Sequence, residues 1–278
     1  MLFNKPKPLA TALILLFYSA CLSAQESQED VNIVNWYYST MYGTGYYTVG
    51  DTKVAILNVP LSYAFKTIRE KKDKYGIRLL APVSLGFHSF DFNQILDLPD
   101  KVATLSVVPG IEFEYAVSEN WHLMPYARIG AGQEFNQNIT AWIYGAGIKS
   151  RWILPIHEGE FTLGNALNYA GYVASDDSSK AMMSFVAGLN WVTPLNFRLF
   201  KRNTNVGTHL IYYGYLNELD FISEDEQSLK LRNEFEFALT LGTHKPRSFL
   251  GFDYTRFGFA FIFGKELRGI RLVAGFPF

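Results

Sequence analysis

The chain of 278 residues carries 25 basic and 26 acidic residues, a formal charge of −1, so it lacks the basic surface that nucleic acid requires. Hydrophobic residues make up 49% and aromatics 16%, yet no stretch beyond the amino-terminal segment reaches roughly eighteen apolar positions, which excludes helical membrane spans. Cys21 is the single cysteine, so paired-cysteine motifs are absent.

At the amino end, Lys5 and Lys7 precede an apolar run from Leu9 to Tyr18. Leu22-Ser23-Ala24 then supplies small residues before the polar stretch Gln25 to Asp30. This layout predicts a cleavable signal peptide over 1–24 and one mature domain over 25–278, because about ten apolar residues fall well short of the roughly twenty a helical anchor needs. Ser19-Ala20-Cys21 also matches the end of a lipobox, with Tyr18 where such a box usually wants Leu. Cleavage after Ala24 leaves a mature chain with no cysteine, needing neither disulfides nor thiolate chemistry.

From about Val31 onward the dominant signal has period two, in segments punctuated by Gly, Asn, Asp, Ser and Pro. The predicted strands are 31–42, 52–65, 75–91, 101–117, 121–134, 139–154, 159–174, 181–195, 204–217, 228–243, 247–263 and 267–278. They number about twelve, and ten or fourteen stay open because 43–51 reads equally as loop or hairpin. In 101–117, Leu105, Val107, Ile111, Phe113 and Tyr115 share one face against Ser106, Gly110, Glu112 and Glu114. Trp121, Leu123, Ala127 and Ile129 then oppose His122, Tyr126, Arg128 and Glu134, and Trp142, Tyr144, Ala146, Ile148 and Trp152 oppose Gly145, Gly147, Lys149 and Arg151. In 228–243, Leu231, Phe235, Phe237, Leu239 and Leu241 oppose Lys230, Arg232, Glu234 and Glu236. A helix would spread such charges round its cylinder, whereas a strand lines them along one side. Pro60, Pro82, Pro109 and Pro125 lie inside these segments and predict bulges or kinks.

The last segment alternates Ile270, Leu272, Ala274, Phe276 and Phe278. Repeated apolar faces, each long enough for a tilted membrane-crossing strand, predict an all-β fold: a closed antiparallel transmembrane β-barrel in the outer membrane of a Gram-negative cell, with both termini periplasmic. The last segment resembles the terminal-strand signature of outer-membrane barrels, and the resemblance implies that Phe276 and Phe278 lie at the periplasmic rim and are read by the barrel assembly machinery. Counting back from there puts Tyr115, Trp121, Trp152, Phe161 and Trp191 in a periplasmic aromatic girdle and Trp142, Tyr169 and Tyr212 near the other rim. Ser118 to Asn120 and His244 to Arg247 become short periplasmic turns, the basic Lys66 to Lys74 segment also goes to the periplasm, and 217–227 becomes the longest outer loop. The acidic residues of that loop read as solvated charges or as a cation bridge to lipopolysaccharide.

The opposite, inward face collects Arg78, Glu112, Glu114, Arg128, Glu134, Lys149, Arg151, Lys230, Arg232, Glu234, Glu236 and Arg271. Charges of both signs on neighbouring strands predict a lumen braced by ion pairs, with a narrow solute-selective, porin-like pore as the alternative. No nucleophile elbow or His-Glu-x-x-His motif occurs, and no cofactor or metal site is expected. Among the five histidines, His88 and His209 fall away from the periplasmic rim. His88, near Ser89 and Asp91, is the best candidate base for the alternative of a lipid-modifying enzyme, and the 217–227 loop for that of a receptor or adhesin. The predicted partners are outer-membrane lipids, lipopolysaccharide and the assembly machinery.

About twelve strands, inward charges and the Ile270 to Phe278 segment resemble the translocator domain of autotransporters, and most of all the solitary autotransporter-like barrels of marine and enteric gammaproteobacteria. The resemblance implies a signal peptide followed by a barrel without a passenger. The short stretch between Gln25 and Val31 leaves no room for a passenger or for the helix that threads a translocator pore, so passenger secretion is not implied.

Overall fold

The computed structural model describes residues 43–50, 52–68, 73–88, 103–135, 138–156, 159–199, 202–222, 228–249 and 252–278. Their strands are β1 (Gly45–Val49), β2 (Thr52–Lys66), β3 (Tyr75–His88), β4 (Thr104–Val107), β5 (Gly110–Ala116), β6 (Trp121–Glu134) and β7 (Thr140–Ile156), followed by β8 (Gly159–Ala174), β9 (Ser179–Leu199), β10 (Arg202–Ile222), β11 (Ser228–Phe249), β12 (Phe252–Gly264) and β13 (Leu267–Val273). All neighbours pair antiparallel, and β1 closes the sheet by pairing with both β2 and β13, Gly45 facing Ile56 on one side and Arg271 on the other. β4 and β5 lie end to end between β3 and β6, so thirteen strands fill the twelve positions of a closed barrel. Closure matters because an open edge would leave a row of unpaired backbone groups.

The predicted strand 31–42 and the predicted signal peptide lie outside the described residues, and the strand that closes the barrel is Gly45–Val49, which forms a hairpin with β2, one of the two readings open for 43–51. The prolines behave differently from expectation too. Pro60 faces Pro82 across β2 and β3 without a register change, and Pro109 interrupts the ladder between β4 and β5 while both flanking registers run on unchanged. There Val108 N–H donates to Pro82 O at 3.2 Å and Ile129 N–H to Pro109 O at 2.9 Å, so much of the lost bonding is replaced locally. Register shifts fall elsewhere, between Ala64 and Lys66, Asn203 and Thr204, Gly214 and Leu219, and Gly242 and Arg247. The last of these relocates a predicted turn. Residues 243–246, which include Pro246, drop out of the pairing with β12 while Thr243 still faces Thr204 on β10, after which Arg247 to Phe249 pair again with Tyr254 to Phe252.

The two faces differ in accessibility as the alternation requires. Outward positions stay exposed although large and apolar: Trp142 65%, Ile129 62%, Phe259 55%, Trp191 52%. Trp121 sits opposite Trp152, and Phe161 opposite Trp191, toward the rim where β13 ends. A water-soluble monomer keeps its contiguous apolar patches to a few hundred Å² at most, so an apolar exterior running round the sheet calls for a nonaqueous surrounding. Most of the buried residues point inward and occupy much of the lumen. One apolar cluster, including Tyr47, Ile143, Tyr172, Met182, Leu231 and Leu267, occupies the half away from the end of β13.

Candidate functional site in the barrel lumen

Three ion-pair networks line the lumen, each joining strands on one side of the wall. Glu112 on β5 is 2% exposed and takes Arg78 Nη1 from β3 at 2.9 Å and Lys149 Nζ from β7 at 2.7 Å. Two residues further along β5, Glu114 Oε1 meets His122 Nδ1 at 2.8 Å and Arg151 Nη2 at 2.9 Å. On the far side, Glu236 on β11 is fully buried among His209 Nε2 at 2.9 Å, the Tyr213 hydroxyl at 3.0 Å and Arg271 Nη2 at 2.7 Å. Next to it the Tyr215 hydroxyl donates to Glu234 Oε2 at 3.2 Å. Alternation on each strand points these groups inward, and the antiparallel registers set their heights so that β3, β5 and β7 converge on one carboxylate and β10, β11 and β13 on another. A buried carboxylate is tolerable only with such partners.

Arg128 stands beside the Tyr126 ring, its guanidinium carbon 5.6 Å from the centroid, with Lys149 Nζ at the same distance. Tyr126 in turn donates to Asn168 Oδ1 at 2.9 Å. Glu134 is buried at 3% toward the rim away from the end of β13. Lys230 and Arg232 depart from their predicted place. Both are exposed, and Leu231 between them is 2% exposed and packs in the lumenal cluster, so their side chains turn outward. The reason is the irregular pairing in which Gly214 faces Asn233 but Leu219 faces Leu231, which inverts the inside–outside phase of β11 below Asn233.

The largest departure is at the carboxyl end. β13 stops at Val273, and Gly275 adopts φ +129, a conformation that a side chain disfavours. Continued alternation would have put Phe276 and Phe278 on the outer face with Ile270 and Leu272; the turn reverses them into the lumen. They pack there against Ala166, Val186 and Ile211, with their ring centroids 4.9 Å apart and Phe276 5.6 Å from the His209 ring. Arg151 Nη1 donates to the Phe278 main-chain oxygen at 3.3 Å. The expected aromatic girdle therefore proceeds without these two residues. Gly-Phe-Pro is the sequence signal for this reversal, since glycine permits the turn and proline cannot continue a ladder.

A cavity of about 240 Å³ remains among these parts, with Tyr126, Arg128, Lys149, Asn168, Arg271 and Phe278 in its lining. Among the described residues no group of three His, Cys, Asp or Glu is placed to hold a metal ion. Of the predicted outer loop 217–227, residues 217–222 instead belong to β10, with 219–222 paired to β11, while residues 223–227 and the side chain of His88 lie outside the described structure. No protein-family model and no curated protein matches the sequence. What defines the chain is its architecture: a closed antiparallel barrel of twelve strand positions with an apolar exterior, which fits outer-membrane barrel proteins as a class.

Proposed function

We propose that the protein is an integral outer-membrane β-barrel, akin to a passenger-less autotransporter translocator, that serves a structural rather than an enzymatic role with its lumen braced shut. Both termini then face the periplasm, lipids and lipopolysaccharide surround the exterior, and the assembly machinery inserts the chain. The observation that carries this reading is the pairing of an apolar, exposed exterior with an interior occupied by ion-paired charge and apolar packing. A conducting pore of selective charge rings needs a continuous polar path, whereas the Tyr47 to Leu267 cluster lies across one half of the lumen.

Folded protein should fractionate with outer membranes and migrate faster in gels before boiling than after. Reconstituted in planar bilayers it should give no stepwise conductance. Discrete, reproducible channel steps would replace the closed reading with the narrow-pore one, and recovery of the folded chain in a soluble fraction would end both.

A further inference from the structure

We propose that the lumen contains a peptide-binding seat for two aromatic side chains separated by one residue, and that Phe276 and Phe278 are its exchangeable ligand in cis. The inference rests on the membrane-barrel reading above and adds an occupant to the lumen.

The seat is built from small residues where large ones would be expected. A Cβ on Gly164 would overlap the Phe278 ring, and one on Gly188 would lie 2.9 Å from Phe276. Two neighbouring strands, β8 and β9, thus each present a glycine, opposite one another in the ladder, beneath the two rings. Ala166, Val186 and Ile211 form the apolar walls, and the His209 ring adds an aromatic face. Arg151 marks the polar end, with Nη1 on the Phe278 oxygen, Nη2 anchored by Glu114, and Nε buried without a partner. This is the anatomy of a ligand pocket: apolar and concave, with one placed polar group fixing orientation.

The tail occupies it as a ligand does. Residues 276–278 lie outside the β-ladder, beyond the left-handed Gly275, and are held by ring packing and the arginine contact. The adjoining cavity of about 240 Å³ touches Pro277 and Phe278, which gives the segment space to move without displacing a strand. A short tether holds its ligand at an effective concentration of about millimolar, so a free peptide must reach that range to compete.

The experiment uses a Phe276→Ala/Phe278→Ala protein folded in detergent micelles and titrated with acetyl-Phe-Pro-Phe-amide to several millimolar. Saturable binding is expected for this peptide and none for acetyl-Ala-Pro-Ala-amide; adding Gly188→Leu, which fills the seat, should abolish it. Loss of the Arg151 contact through Arg151→Gln should weaken binding about tenfold, the scale of one hydrogen bond to a charged group. No saturable binding, or equal binding of the alanine peptide, overturns the proposal. Should the double variant fail to fold, the full chain decides: hydroxyl-radical oxidation of Phe278 should be low, and should rise when the aromatic peptide is added. A side chain oxidised as fast as in boiled protein, or one whose protection no excess of peptide changes, overturns it equally. Heat-modifiable migration is scored on the same samples, so a chain that lacks it refutes the membrane barrel, while a heat-modifiable chain without peptide binding refutes the seat alone.

Discussion

Replacing Glu236 with Gln tests the lumenal bracing most directly, because the amide keeps the shape and its single oxygen can still accept from one of His209 and Tyr213, which hold different carboxylate oxygens, while the charge that faces Arg271 is lost. Glu236 is fully buried and the Arg271 side chain is 10% exposed, so solvent does little to compensate for the loss. Breaking a buried pair by removing one partner costs about 3–5 kcal/mol, and the one hydrogen bond that the amide oxygen keeps, with the shape conserved, places Glu236→Gln toward the lower end, at about 3 kcal/mol. A second change, Arg271→Met, should make the double variant less unstable than the sum of the single costs by about 2 kcal/mol, since no unpaired charge is then left in the lumen. The assay is urea unfolding of lipid-reconstituted protein, followed by the fluorescence of its five tryptophans. A cost below about 1 kcal/mol for the single variant, or simple additivity in the double, would refute the view that this network is a desolvated brace.

Three further outcomes follow from the same geometry. Leu239→Arg on the outer face should cost about 2–4 kcal/mol in a bilayer, against roughly 0.5 for a half-exposed site in water, and comparing unfolding in vesicles of different thickness reads the depth dependence. Arg78→Ala or Lys149→Ala alone leaves Glu112 one cation, so the pair of changes should destabilise by more than the sum of the two, a non-additivity measurable by a double-mutant cycle. Lys230→Ala and Arg232→Ala, by contrast, should each shift unfolding by no more than about 0.5 kcal/mol, because both side chains are exposed; a loss as large as that of Glu236→Gln would return them to the lumen.

Much of the barrel was legible from residue order. Strands 121–134 and 159–174 coincide with their predicted bounds, and on β6 to β9 the aromatic and charged faces separate as the alternation says, because inside and outside are decided at each residue by the two-residue pleat. The ion pairs were legible only as an inventory: Arg78, Glu112 and Lys149 share a face, but their meeting depends on the register of three strands. His209, Tyr213 and Tyr215 carried no motif that marked them as partners of the β11 acids. Local pattern also failed where an insertion changes the phase, which is why Lys230 and Arg232 were assigned to the wrong side.

Residue order alone determined that this chain folds as extended strands with one lipid-compatible and one polar-bearing face, since period-two alternation of Phe, Trp and Leu against Glu, Arg and Gly has no other low-energy solution over so many segments. Tertiary structure decided how the sheet ends. Residues 45–49 complete the ring because both β2 and β13 offer them an unpaired edge, and Phe276 and Phe278 turn inward because Gly164 and Gly188, more than eighty positions earlier, leave a hollow of the right shape. Those are contacts between distant parts of the chain, and closing the barrel is what brings them within reach.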